Sequence, residues 1–111
     1  MNLYESIFVL SSNLTEKLAE EKISFYEDII KKAGGKTLKK EYWGVKTLAY
    51  QIKNSLKAHY FLLNFETTYS SILEIENKLK IDDDSLRFLN LRLKKFSKEP
   101  SIMLKKYKDE Q

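Results

Sequence analysis

The sequence predicts an α+β sandwich, four strands and two helices in the order β-α-β-β-α-β. Three observations carry this. Strand-like runs open and close the folded part of the chain, two segments space their apolar residues three or four apart, and a long β-prone stretch between them is broken by one polar interruption.

Leu3 to Leu10 is rich in Tyr, Ile, Phe, Val and Leu and reads as a mostly buried first strand. Ser11-Ser12-Asn13 interrupts it, with Asn13 as the expected N-cap and Glu16 three residues on, in the manner of a capping box. The helix that follows carries Ala19, Ile23, Tyr26, Ile30 and Ala33 on one stripe. Gly34-Gly35 should stop it through a left-handed cap. Lys36 to Ile52 is the long β-prone stretch, and Gly44 inside it suggests a bulge or bend. Lys53 to Lys57 is polar enough for a hairpin loop. From Ala58 to Glu66 the residues alternate, with Phe61, Leu63 and Phe65 on one face and Tyr60, Leu62 and Asn64 on the other. Tyr69-Ser70-Ser71 opens a second helix carrying Ile72, Ile75 and Leu79, and Ile81 to Ser85 breaks it. Leu86 to Leu93 is the last strand.

Two helices of these lengths cover one face of a four-stranded antiparallel sheet, a ferredoxin-like sandwich. The expected buried face holds Phe8, Leu10, Phe61, Leu63, Phe65, Leu89 and Leu91. The expected open face holds Ile7, Val9, Tyr60, Leu62, Asn64, Asn90 and Arg92. The domain should span 1–95, and 96–111, rich in Ser, Lys, Glu and Pro, reads as a basic C-terminal tail.

The 111 residues suffice for one domain with one core, and a 42% hydrophobic share is that of a folded chain. Cysteine is absent, which removes disulfides and thiolate metal sites and fits a reducing compartment. No apolar run reaches the roughly 20 residues of a membrane span, and the N-terminus lacks the pattern of a secretory signal. A cytosolic protein is the expectation, or an organellar one whose leader has been removed.

Catalysis has little to work with. His59 is the only histidine and lies in a strand-like segment, where a structural role is the simpler reading. Asp82-Asp83-Asp84 lacks the spacing of a calcium loop and reads as a soluble, capping turn. There is no nucleophile elbow and no Gly-rich phosphate loop. An enzyme, a cofactor and a small-molecule substrate are therefore not expected.

Nucleic acid is better supported. The net charge is +4, and from Leu86 onward Arg87, Arg92, Lys94, Lys95, Lys98, Lys105, Lys106 and Lys108 face only Glu99, Asp109 and Glu110. Positive density of that kind is a footprint for phosphate, although a solvated basic tail has the same composition. Around the central hairpin Lys39, Lys40, Lys46, Lys53 and Lys57 interleave with Tyr42, Trp43 and Tyr50, either as phosphate and stacking groups or as solvated lysines over packed rings. Lys57 to Phe65 does not match the basic-Gly-aromatic signature of an RNA-recognition motif, since it has no Gly and places Leu62 and Asn64 at the key positions.

Glu41-Tyr42-Trp43-Gly44-Val45-Lys46-Thr47-Leu48-Ala49-Tyr50-Gln51-Ile52 resembles the hallmark segment of the bacterial small-subunit ribosomal protein six family, a Trp-Gly-basic-basic-x-Leu-Ala-Tyr-Pro-Ile pattern. Lys57-Ala58-His59-Tyr60 leading to Asn64-Phe65-Glu66 is similar to that family's following strand. Tyr4-Glu5, Arg87, Arg92 and the Ser-Ile-Met-Leu-Lys tail fit as well. The resemblance implies a ferredoxin-like fold, no catalysis, and binding to the central domain of small-subunit rRNA as a heterodimer with ribosomal protein eighteen. On this basis Lys46, Lys53, Arg87, Arg92 and Lys94 are expected at RNA, and Trp43, Tyr50, Tyr60 and Leu62 at the protein partner. Two departures bear on the chemistry: Lys46 is the only base in the usual basic cluster, and Gln51 stands where the family has Pro. A stand-alone single-strand RNA binder and a small-effector regulatory domain remain the competing readings.

Overall fold

The computed structural model describes residues 1–95, so the expected tail over 96–111 lies outside the described residues. Six elements follow in the expected order: β1 (Asn2–Ser11), α1 (Glu16–Lys32), β2 (Lys36–Ile52), β3 (Ser55–Thr67), α2 (Tyr69–Lys80) and β4 (Ser85–Leu93). All strand pairs are antiparallel, in the order β2-β3-β1-β4, and both helices lie on one face. This is the ferredoxin-like sandwich, with β2 and β4 as its two edges.

The main core lies between sheet and helices. Phe8, Leu10, Phe61, Leu63 and Phe65 meet Ala19, Ile23, Tyr26, Ile29 and Ile30 of α1 and Ile72, Ile75 and Leu79 of α2. Phe8, Phe61 and Phe65 are fully buried, each contributing about 1.5–3 kcal/mol of apolar transfer. α1 begins two residues later than expected. Asn13 is in a turn, its N–H bonded to Ser11 Oγ, and Thr15 is the N-cap, its hydroxyl accepting the Leu18 N–H at 3.2 Å. At the other end Ala33 is the C-cap and is exposed, and Gly34 (φ +83°) makes the left-handed exit. A Cβ on Gly35 would lie 2.5 Å from the Glu66 carbonyl oxygen, so only glycine lets α1 leave against β3.

The hairpin loop is shorter than Lys53 to Lys57. Lys53 (φ 46°) and Asn54 (φ 64°) alone form it, the two-residue turn with both centres left-handed, and β3 resumes at Ser55. Gly44 (φ +86°) is the expected bulge, where the β2–β3 register slips.

β4 corrects the expected faces. Phe88 pairs with Phe8, Asn90 with Ser6 and Arg92 with Tyr4, so Asn90 and Arg92 are on the helix side. Leu89 and Leu91 pair with Ile7 and Glu5 on the open side, and are 53% and 59% exposed instead of buried. Leucines occupy both parities of this strand (86, 89, 91 and 93), so alternation alone could not orient it; the slip between Val9 and Leu10 sets its phase.

The open face is also less open than its pattern suggests. The β2–β3 hairpin leans across β1 towards β4, so that Leu48 and Ile52 pack on Val9, Ala58 and Leu86, with Ile7 and Tyr60 at the margin. Val9 is buried in that cluster, and Leu62 and Asn64, also expected on the open face, are buried too.

Candidate nucleic-acid interface

Two polar clusters are structural. Buried His59 has Leu14 O at 2.7 Å from Nε2 and the Tyr42 hydroxyl at 2.9 Å from Nδ1. A carbonyl only accepts, so Nε2 donates to Leu14 O, and Nδ1 shares its hydrogen bond with the Tyr42 hydroxyl. Both nitrogens are thereby used in joining β3 to β2 and to the loop before α1.

The Asp82 carboxylate accepts from Lys22 Nζ at 2.6 Å and from the Asp84 N–H at 2.9 Å, tying the loop before β4 to α1. Burial alone would raise its pKa, but Lys22, the Asp84 N–H and the Tyr26 hydroxyl together hold it below the usual carboxylate range. Burial and then the Asp82 charge push the Tyr26 hydroxyl up to about 12. The acidic run is thus a capping turn, and among the described residues no cluster of His, Asp or Glu could hold a metal ion.

The five cations expected at RNA share one property: among the described residues none of Lys46, Lys53, Arg87, Arg92 and Lys94 forms an ion pair. Those with side-chain contacts meet neutral groups. Lys53 Nζ donates to Ser85 O at 2.8 Å, fastening the hairpin tip to β4. Arg87 donates to the Tyr50 hydroxyl and sits 5.3 Å from the centroid of its ring. Arg92 donates to Asn2 Oδ1 at 2.9 Å.

Lys53 and Arg92 line one groove of about 860 Å³ between β4 and α2; Arg87 borders it from β4, but its side chain leaves the strand on the open face, with Val9 and the Tyr50 ring. Lys94 joins Arg92 in an adjoining recess, and Lys46, opposite Ala58 on β2, lines neither. The groove is also lined by Asn2, Tyr69 and Lys80, which the sequence reading did not single out, and by Asn90, which it placed on the open face. Their signal was present on α2, where Tyr69, Glu76 and Lys80 are spaced seven and four apart on the flank of the buried stripe.

The four residues expected at the protein partner lie elsewhere. Trp43 stacks on Tyr60 with centroids 6.4 Å apart and planes 13° apart, and its Nε1 donates to Glu41 Oε1 at 2.9 Å. Trp43 and Leu62 are buried, Tyr60 is half-buried, and Tyr50 is exposed on the hairpin.

A family model described as Ribosomal protein S6 matches residues 3–92. The chain is 42% identical over 106 residues to small ribosomal subunit protein bS6 of Methylobacterium nodulans, a match covering 96% of this chain and 79% of that one. It is 36% identical over 110 residues to the bS6 protein of Granulibacter bethesdensis, covering 99% and 71%. Among solved structures, 30S ribosomal protein S6 from Thermotoga maritima has a TM-score of 0.76 and 27% identity, covering 83% of this chain and 87% of that one. With the hallmark segment, the sandwich topology and these relatives in agreement, the chain belongs to the ribosomal protein S6 family of the small ribosomal subunit, a family of structural rather than enzymatic proteins.

Proposed function

We propose that this chain is a structural constituent of the small subunit of cytoplasmic ribosomes that binds the central domain of small-subunit rRNA together with ribosomal protein eighteen. The observation that carries the reading is the uncompensated charge along β4 and the hairpin tip. Lys53 and Arg92 line one groove and Arg87 stands on the other face of the same strand, and among the described residues all three meet neutral partners only, a state in which cations attract phosphate without first breaking an ion pair. Lys94 and Lys46 extend the basic surface. Tyr50 and Tyr60 offer accessible rings to the protein partner, with Trp43 and Leu62 packed beneath that surface.

Three or four phosphate contacts give modest affinity, so the isolated chain should bind RNA weakly and the heterodimer tightly. Titration of a central-domain transcript with the chain, with ribosomal protein eighteen and with both should show binding chiefly by the pair. The dependence of log K on log salt should have a slope of about −2 to −3 for this chain's share, from about −0.7 per contact. Tight binding by the lone chain, or none by the pair, refutes the reading.

A further inference from the structure

The groove between α2 and β4 is lined by four cations and a single carboxylate, Glu76. Glu76 is engaged by Lys80 at 3.3 Å, which leaves Lys53 and Arg92 to set the sign of the groove, with Arg87 on the other face of β4. The order of groups along it follows from the strand register. Thr67, two residues before Tyr69, pairs with Asn2, and Asn2 accepts from Arg92. Tyr69 and Arg92 therefore share one end, and the hairpin tip with Lys53, Ser85 and Arg87 forms the other. The seven residue steps from Ser85 to Arg92 span about 23 Å of strand.

The Tyr69 ring is 58% exposed, and among the described residues it stacks on no other ring. An exposed aromatic beside cations that, among the described residues, lack carboxylate partners is the pairing that takes an unstacked base and its phosphate. The sheet's open face does not supply it. Trp43 and Tyr60 stack on each other there, the hairpin roofs Val9, Ala58 and Leu86, and Leu89 and Leu91 make up much of what is left exposed.

We propose that the α2–β4 groove holds an unpaired stretch of the RNA, its phosphates towards Lys53 and Arg92 and one base against the Tyr69 ring. The proposal rests on the RNA-binding reading above and adds where the strand lies and which ring stacks it. A single strand fits a shallow groove of this length. The lining is polar and basic, which favours nucleic acid over an extended segment of protein.

The test uses the full chain with ribosomal protein eighteen and the central-domain transcript, comparing Tyr69→Ala, Tyr69→Phe, Arg92→Gln and, on the opposite edge, Lys40→Gln. Tyr69→Ala should weaken RNA binding about 5- to 100-fold, while Tyr69→Phe keeps the ring and most of the affinity. Arg92→Gln should lower affinity and flatten the salt slope by about 0.7. Lys40→Gln should leave RNA binding unchanged. Thermal melts establish that each variant is folded, as expected for exposed side chains. If the wild-type pair binds and the Tyr69 and Arg92 variants bind equally well, the groove proposal falls while the functional reading stands. If the wild-type pair does not bind, both fall. Loss of the heterodimer in sedimentation without RNA would make the groove a protein interface and overturn the proposal.

Discussion

The two edges of the sheet are both basic, but the first half of β2 neutralises its lysines within the fold, while among the described residues the arginines of β4 meet no carboxylate. Along the first half of β2 every lysine meets a carboxylate: Lys36 with Glu66, Lys39 with Glu41, and Lys40 with both Glu20 and Glu27. The Lys40 ammonium shows the effect. Burial alone would lower its pKa, and the Glu27 hydrogen bond with the charges of Glu27 and Glu20 raises it instead. β2 is further broken by three slips of register, which spoil it as a template for another strand. β4 runs regularly after its one slip near Val9, and among the described residues its arginines meet only a phenol and an amide. Lysine count therefore says little about where a phosphate would bind. What matters is which cations the fold has already neutralised.

The largest expected effect comes from reversing the unneutralised edge. Arg87→Glu with Arg92→Glu should reduce RNA affinity of the heterodimer by on the order of 100-fold. Both side chains are exposed, so thermal melting should change little. Filter binding across salt measures it, and a loss of only a few-fold would erase the distinction between the edges.

The second effect concerns how β4 is held. Asp82→Asn removes the charge-assisted bond to Lys22 and should cost about 1–2 kcal/mol by denaturant unfolding, Lys22 being partly screened by solvent. The Asp82 pKa is depressed in the folded chain, so this stabilisation is complete above the unfolded carboxyl value near pH 4 and is lost as pH falls through the folded value. The wild-type chain should accordingly lose more stability than the variant on acidification below pH 4. Parallel acid titrations would refute the assignment.

The smallest effect belongs to the neutralised edge. Lys40→Ala breaks two ion pairs at the surface and should cost about 0.5–1 kcal/mol in stability, with no change in RNA affinity. A loss of RNA binding here would show that the paired lysines are in use after all.

Element order and most of the core were legible because they rest on periodicity: Phe61, Leu63 and Phe65 alternate cleanly, and both helices have one apolar stripe. β4 was read with the wrong parity because its leucines fall on both faces and only pairing with β1 decides which are covered. The cap moved from Asn13 to Thr15 because Ser11 claims the Asn13 N–H for a turn. The cations were legible as a set, and Lys53 and Arg92 line one groove. Their pairing state was not, since Arg87 meets Tyr50 across 37 residues of chain. Tyr69 escaped notice because a ring on the flank of a helix looks like the margin of a core until its exposure is known.

Trp43 is the only tryptophan in the sequence, and its ring is fixed on Tyr60 with the indole N–H held by Glu41. It faces away from the α2–β4 groove. The protein thus carries its single tryptophan on the face of the sheet opposite Arg92 and Tyr69. Tryptophan emission will register a partner settling on the open face, and a strand entering the groove will leave it dark to that signal, so the two binding events can be told apart in one unlabelled sample.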